Sequence, residues 1–246
     1  MTDLILLHGG QHGSWCWAPL LAAFEKQPSQ FARVLTLDMP GCGTKRGRDV
    51  TSLSLNDVVA ELNQDLRDLG VRQGVLLGHS IAGALLPLMA VGAPQLYRHL
   101  VYLTCALPGE GQSILEQLGS TLHGESPDHV GWPLDPSKAT PQEMAVAMFG
   151  QDLSAETLGW LLSEVAQDAT PPSVATESIT RTGYEGLVPA TYIVTLRDNI
   201  LPAAWQRRFA ERAGASTVLE IDTPHEPFVS HPQLLADVIR GLELPL

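Results

Sequence analysis

Cysteine is scarce: Cys16, Cys42 and Cys105 are the only three in 246 residues. Their number is odd and no CxxC spacing occurs. Neither a disulfide scaffold nor a metal site is expected, and a reducing cytoplasm is the compartment that fits. Basic residues are also few. Lys and Arg number 15 against 27 Asp and Glu, a formal net charge of −12. The densest basic stretch is Lys45-Arg46-Gly47-Arg48. A field of that sign repels phosphate backbones and anionic lipid, so no nucleic acid and no membrane is expected as a partner. No apolar run approaches the ~18 residues of a membrane span. Met1-Thr2-Asp3 brings no positive charge, and Leu4-Ile5-Leu6-Leu7 stops at His8-Gly9-Gly10, which does not read as a signal peptide. Charged residues make up 17%, too few for a disordered chain, and the 44% of hydrophobic residues suffices for one sizeable core. No repeat or low-complexity tract is visible.

What is present is an alternation. Asp3–Leu7, Arg33–Leu37, Gly74–Leu77, Leu100–Thr104, Thr191–Thr195 and Thr217–Ile221 are short runs rich in Val, Ile and Leu. They predict about six strands buried on both faces. Leu55–Leu69 repeats apolar residues at three and four and predicts a helix capped near Asn56. Ile81–Val91, Ala203–Ala213 and Leu234–Leu242 predict further helices. Strands alternating with helices imply right-handed crossovers, hence an α/β fold with a mostly parallel central sheet. Between Pro108 and Leu187 no strand is predicted. That interval carries turn material and helical stretches at Pro141–Phe149 and Ala155–Asp168. It reads as a helical cap, 108–187, inserted into a core formed by 1–107 and 188–246.

Val75-Leu76-Leu77-Gly78-His79-Ser80-Ile81-Ala82-Gly83 runs from a buried strand through a sharp turn into an apolar segment. Such a turn exposes one serine hydroxyl at the sheet's C-terminal edge, which makes Ser80 the candidate nucleophile. The pattern departs from G-x-S-x-G in its last place, where Ala82 stands and Gly83 follows. An alcohol needs a base, and the base an orienting carboxylate. Of eight histidines, His225 follows the last strand and can reach back to the turn; the ring of His79 is expected to turn away from the hydroxyl. Asp198, just past the fifth strand, is the candidate acid, with Asp222 and Glu110 as rivals. Ser80, Asp198 and His225 then stand in the chain order of this fold class. Oxyanion donors are expected from the amides of Ile81 and Gly10. The glycines of Leu7-His8-Gly9-Gly10-Gln11-His12-Gly13 let backbone approach a ligand, and Gly9 is a pocket candidate. The segment lacks both the P-loop lysine and GxGxxG spacing, so no nucleotide cofactor is expected. Met144, Met148, Phe149, Leu153, Trp160 and Leu161 recur at near-helical spacing. Most of that stripe packs cap on core, and Met144, Met148 and Phe149 are pocket candidates. Trp15 and Trp17 each fit core or pocket wall, and Trp15 is a further pocket candidate.

Together these residues resemble the α/β-hydrolase superfamily over essentially the whole chain. His8-Gly9-Gly10 looks like its first oxyanion loop, and Asp38-Met39-Pro40-Gly41-Cys42-Gly43 like its D-x-P-G-x-G turn. His12-Gly13-Ser14-Trp15-Cys16-Trp17 resembles the H-G-x-W-x-W segment of the plant methyl esterase and hydroxynitrile lyase group, which has bacterial esterase relatives. That resemblance implies either of two chemistries. The lyases generally carry threonine after the first-loop histidine and lysine after the catalytic histidine; Gly9 and Glu226 occupy those places here. The expectation is therefore a carboxylic ester hydrolase acting on a small, largely apolar ester through an acyl-enzyme, without cofactor, as a monomer or homodimer. A tailoring enzyme using lactone or thioester chemistry, a hydroxynitrile lyase and a non-hydrolytic ligand receptor on the same fold are the alternatives.

Overall fold

Six parallel strands form one sheet in a computed structural model that describes residues 2–244. They are β1 (Thr2–Leu7), β2 (Phe31–Leu37), β3 (Gly74–His79), β4 (Tyr97–Leu103), β5 (Ala190–Thr195) and β6 (Thr217–Ile221), in the order β2-β1-β3-β4-β5-β6. All pairings are parallel, as the strand-helix alternation requires. The strands finish nearly level: Leu7 lies opposite Gly78, His79 opposite Leu103 and Thr195 opposite Ile221. The loops that follow β1, β3, β4, β5 and β6 therefore emerge along one edge.

The core sits on both faces of the middle strands. β3 and β5 are buried throughout, and Leu4 to Leu7 of β1 are fully buried. Each such side chain contributes roughly 1.5–3 kcal/mol on leaving water. β2 and β6 depart from the expectation of burial on both faces. They are the sheet's edges, and Thr217, Val218 and Glu220 face solvent, with Arg207 paired to Glu220.

Helix α1 covers Ala18–Phe24, a segment for which the sequence pattern makes no prediction. α2 covers Leu55–Asp68. Its cap is Ser54, two residues before Asn56: the Ser54 hydroxyl accepts from the Asp57 amide while the Asp57 carboxylate takes the Ser54 amide. This reciprocal box satisfies two orphan donors, which Asn56, already inside the first turn, cannot do. A continuous helix from Ile81 is likewise not formed. A 3₁₀ turn, Ser80–Ala84, precedes α3 (Leu85–Gly92). The reason is Pro87. In a helix starting at Ile81 its ring would meet the Gly83 carbonyl, whereas as third residue of α3 its missing N–H has no partner to lose.

Between β4 and β5 lie α4 (Ile114–Leu118), α5 (Pro141–Phe149), α6 (Ala155–Val165) and α7 (Ser173–Thr176). Among the described residues this interval adds no strand to the sheet; one isolated bridge joins Leu122 and Trp132. α6 stops short of Asp168, whose carboxylate instead takes Trp15 and Arg46. α8 (Ala203–Arg212) follows β5, and α9 (Pro227–Ser230) and α10 (Pro232–Arg240) follow β6. No helix of the described residues is long and apolar enough to cross a membrane. The three cysteines are buried and free.

Candidate active site

Ser80 stands where β3 ends, with φ +55°, a left-handed conformation rare for a residue with a Cβ. The turn survives because its surroundings over-determine it. The Ala106 amide donates to the Ser80 carbonyl at 3.0 Å. The first loop passes so close that a Cβ at Gly9 would lie 2.9 Å from the Ser80 Cβ and 2.8 Å from His79 Nδ1. Gly83 does the same on the other side, where a Cβ would sit 2.4 Å from the Ala106 carbonyl oxygen. The glycine displaced by one place in the serine motif is thus required by the strand-four loop.

Behind the turn, Asp198 and His225 form a buried pair, with Nδ1 2.7 Å from Oδ2. Asp198 is held on every side. Oδ1 accepts the amides of Ile200 at 2.6 Å and Leu201 at 2.8 Å; Oδ2 accepts the hydroxyls of Thr104 at 2.5 Å and Thr195 at 2.9 Å, with Gln206 at 3.2 Å. Burial alone would raise this carboxyl, but the His225 charge and these hydrogen bonds outweigh it and hold it below the usual range. For His225, burial disfavours the imidazolium, yet the Asp198 charge and hydrogen bond win and raise its pKa above the ordinary value. With Nδ1–H given to Asp198, Nε2 keeps its lone pair and has no hydrogen-bond partner among the described residues. The rival acids lie elsewhere: Asp222 pairs with Arg197 at 2.9 Å, and Glu110 accepts the Arg181 amide at 3.1 Å.

Three more histidines fix the backbone around the turn. The Met39 amide donates to His8 Nε2 at 3.0 Å, so His8 Nδ1–H donates to the Gly9 carbonyl at 2.7 Å. His12 Nδ1–H donates to the Gly10 carbonyl at 2.8 Å. His79, 1% exposed, gives Nε2–H to the His225 carbonyl at 3.0 Å. Its ring lies 4.6 Å from that of His225, and burial holds its pKa well below the ordinary value. The Asp38 turn anchors the same region by accepting the Ser14 and Thr44 hydroxyls at 2.9 Å and 2.7 Å.

Ser80, Gly10 and Ile81 line one cavity of about 530 Å³, together with Met144, Met148 and Phe149 from α5. Gly9 and Trp15 are not among its lining residues. Gly9 packs under the serine turn, and Trp15 donates its Nε1–H to Asp168 at 2.6 Å and meets Trp160 edge-on. The remaining wall is mostly Ile, Leu, Ala and Pro, with Gln11, Thr170 and Asp168 as its polar members besides Ser80. A larger cleft of about 680 Å³, near Arg181 and Arg212 and the starts of β5 and β6, does not contain Ser80; His225 lines neither space. His79, His225 and Glu226 bring ligand atoms within 4.8 Å of one another, close enough for one metal ion. An ion there would take an imidazole lone pair that a general base uses.

The sequence signals do not single out Thr104, Thr195 or Gln206 as supports of Asp198; each is a common residue at a strand end or on a helix, and only the packing brings them together. The burial of Glu226 is likewise not signalled.

The chain matches the alpha/beta hydrolase family over residues 4–238. It belongs to that family. This alpha/beta hydrolase is 29% identical to methylesterase 2 of Arabidopsis thaliana over 97% of its own length and 94% of the relative's. It is 25% identical to a pyrethroid hydrolase of Sphingobium wenxiniae, covering 97% of this chain and 86% of that one. Among solved structures, an extracellular alpha/beta-hydrolase from a Paenibacillus species superimposes with a TM-score of 0.78 at 15% identity, covering 99% and 100% of the two chains. At that identity the likeness speaks to the fold.

Proposed function

We propose that this carboxylic ester hydrolase cleaves a small, uncharged and largely apolar ester by way of an acyl-enzyme on Ser80. His225 takes the serine proton through Nε2, and Asp198 fixes the imidazole tautomer and stabilises the imidazolium. The amides of Gly10 and Ile81 receive the oxyanion of the tetrahedral intermediate. Water, activated by the same imidazole, then releases the acid. The single observation that supports this reading most is the pairing of a buried Asp198–His225 couple, its Nε2 lone pair unpartnered among the described residues, with a serine at φ +55° on the floor of an apolar cavity.

The cavity wall also supports the substrate class. No Lys, Arg or His is among the described lining residues, and the one carboxylate, Asp168, is already neutralised by Arg46. A substrate carboxylate would find no counter-ion, whereas apolar acyl or alcohol groups gain roughly 25 cal/mol per Å² buried. The methylesterase and pyrethroid hydrolase relatives, by their names, belong with ester cleavage. Segment 108–187 serves as the cap: it supplies most of the wall, from Ile114 to Ala175. A hydroxynitrile lyase is disfavoured by the space at Gly9, which admits no side chain without a shift, and by the acidic residue at Glu226. The test is a panel of methyl, aryl, lactone and thioester substrates on wild type and Ser80→Ala. Turnover of apolar esters that vanishes in the variant supports the proposal; turnover that survives Ser80→Ala overturns it.

A further inference from the structure

Glu226 follows His225 in the chain, yet its side chain turns inward. It is 1% exposed, and neither carboxyl oxygen has a hydrogen-bond partner among the described residues. The groups that face it come from four elements. They are His12 in the loop after β1, His79 at the end of β3, His225 with Asp198 behind it, and the buried thiol of Cys16. No Lys or Arg is among these neighbours.

Counting donors and acceptors fixes the state of each ring. A carbonyl oxygen only accepts, so His12 carries its hydrogen on Nδ1, toward Gly10, and a lone pair on Nε2. By the same reasoning His79, bonded through Nε2 to the His225 carbonyl, has its lone pair on Nδ1. His225, bonded through Nδ1 to Asp198, has its lone pair on Nε2. All three lone-pair nitrogens are buried and lack a partner among the described residues. His12 Nε2 lies nearest the carboxyl, and a carboxylate facing that lone pair is repelled by it; His79 and His225 each bring a ring nitrogen within 4.8 Å. A carboxylic acid brings the hydrogen that the cluster lacks.

We propose that Glu226 is a neutral carboxylic acid at neutral pH, donates its hydrogen to His12 Nε2, and so ties the loop that carries the base to the loop that carries Gly10. Oε2 lies 3.5 Å from that nitrogen, and a shift of a few tenths of an ångström closes a hydrogen bond. From His12 the chain of contacts runs through Nδ1–H to the Gly10 carbonyl. The Gln11 amide of the same peptide is held by Thr170 at 2.7 Å. The peptide beside the Gly10 amide is thereby fixed at both ends. Glu226 touches no reacting atom; it is a positioning residue. The inference rests on the roles given to Gly10 and His225 in the proposed function.

Burial pushes the Glu226 carboxyl up to about 8, with the Asp198 charge adding and His225 opposing. Burial lowers His12 to about 4, so the hydrogen stays on oxygen. As pH rises through the carboxyl's range, the hydrogen leaves to solvent. The bond to His12 is lost, and an anion then faces the lone pairs and Asp198.

Three measurements test this. Infrared spectra at pH 7 should contain the carbonyl band of one protonated carboxyl group, absent in Glu226→Gln and fading in wild type as pH rises through about 8. The ¹⁵N resonance of His12 Nε2 should move in Glu226→Leu and stay near its wild-type position in Glu226→Gln, whose amide still donates. For hydrolysis of 4-nitrophenyl acetate, wild-type kcat/KM should fall by about tenfold on the alkaline side. Glu226→Gln should lack that limb, and Glu226→Leu should be slower at every pH. Absence of the infrared band at pH 7, an unmoved His12 resonance in the leucine variant, or an unchanged alkaline limb in Glu226→Gln overturns the proposal. The first two readouts need no turnover, so an inactive Ser80 with the band and the resonance shift intact overturns the esterase mechanism instead.

Discussion

Thr104 and His225 meet on the same oxygen of Asp198, the hydroxyl at 2.5 Å and Nδ1 at 2.7 Å. Thr104 reaches it from the first position after β4, at φ +40°, a conformation that costs a β-branched residue roughly 1–3 kcal/mol. The strain persists because the hydroxyl serves a buried charge. Thr104→Val keeps the shape and removes the donor. A hydrogen bond to a charged group contributes about 1.5–3 kcal/mol, so kcat should drop by about one to two orders of magnitude. Steady-state kinetics on an aryl ester checks it, and a variant with wild-type kcat would show that the contact is structural only.

Asp198→Asn should lower kcat by roughly two to four orders of magnitude with the fold nearly intact. The acid limb of the pH profile carries a second signature. Asp198 raises the His225 pKa, so wild-type activity should be lost below a point above the ordinary imidazole value of 6.5. Without that charge the limb should move to lower pH. Asp222→Asn and Glu110→Gln, whose carboxylates pair with Arg197 and contact Arg181, should stay within about tenfold of wild type. A crippled Glu110→Gln beside an active Asp198→Asn would place the acid on the wrong strand.

A fluorophosphonate should label Ser80 and no other serine rapidly, because Ser80 alone combines the strained turn with the cavity floor. Mass spectrometry of the labelled peptide decides the point; an adduct on Ser14 or Ser230 contradicts the assignment. Ser80→Ala should reduce kcat by roughly three to six orders of magnitude.

The raised carboxyl of Glu226 has a consequence for stability. Below 4.5 the group is protonated in both folded and unfolded chains, and stability from this source is greatest. Between 4.5 and about 8 the folded chain holds a proton that the unfolded chain has released, so stability falls as pH rises, by at most ~1.4 kcal/mol per pH unit. Glu226→Gln does not titrate. Urea denaturation from pH 5 to 8 should therefore show the variant gaining steadily on wild type. A constant gap between the two would mean that Glu226 ionises normally.

Mandelonitrile should release cyanide no faster with the protein than without it. Among the described residues, no Lys or Arg is one of the charges that act on His225 and could receive the leaving group, and Gly9 is packed against Ser80 and His79 too tightly for a threonine. Release that depends on Ser80 would contradict an esterase-only chemistry.

The architecture is written locally in this chain, and so are the positions from which its chemistry is proposed. Buried parallel strands need unbroken Val, Ile and Leu, so β1, β3, β4 and β5 announce themselves. The loops after strands carry the conspicuous residues Ser80, Asp198 and His225 because parallel strands deliver all such loops to one edge. The exposure of edge strands and the starts of helices are less legible. Thr217, Val218 and Glu220 of β6 face solvent, and α3 begins only where Pro87 can be tolerated, which depends on the turn before it. The cavity wall is half legible: the spacing of Met144, Met148 and Phe149 marks an apolar face, but not which part of it packs and which part faces Ser80.

What the tertiary structure alone decides is the environment of each group. Asp198, unlike Asp222 and Glu110, is buried under Thr104, Thr195, Gln206 and two amides that converge on it from three segments. Trp15 turns to Asp168 rather than to the cavity because a partner 153 residues away awaits its N–H. Glu226 reads in the sequence as an ordinary acidic residue in a loop. Only the fold buries it among His12, His79 and His225 and so changes its charge. The charge a carboxyl carries is set by the water and dipoles around it, and those are assembled by contacts far apart in the chain.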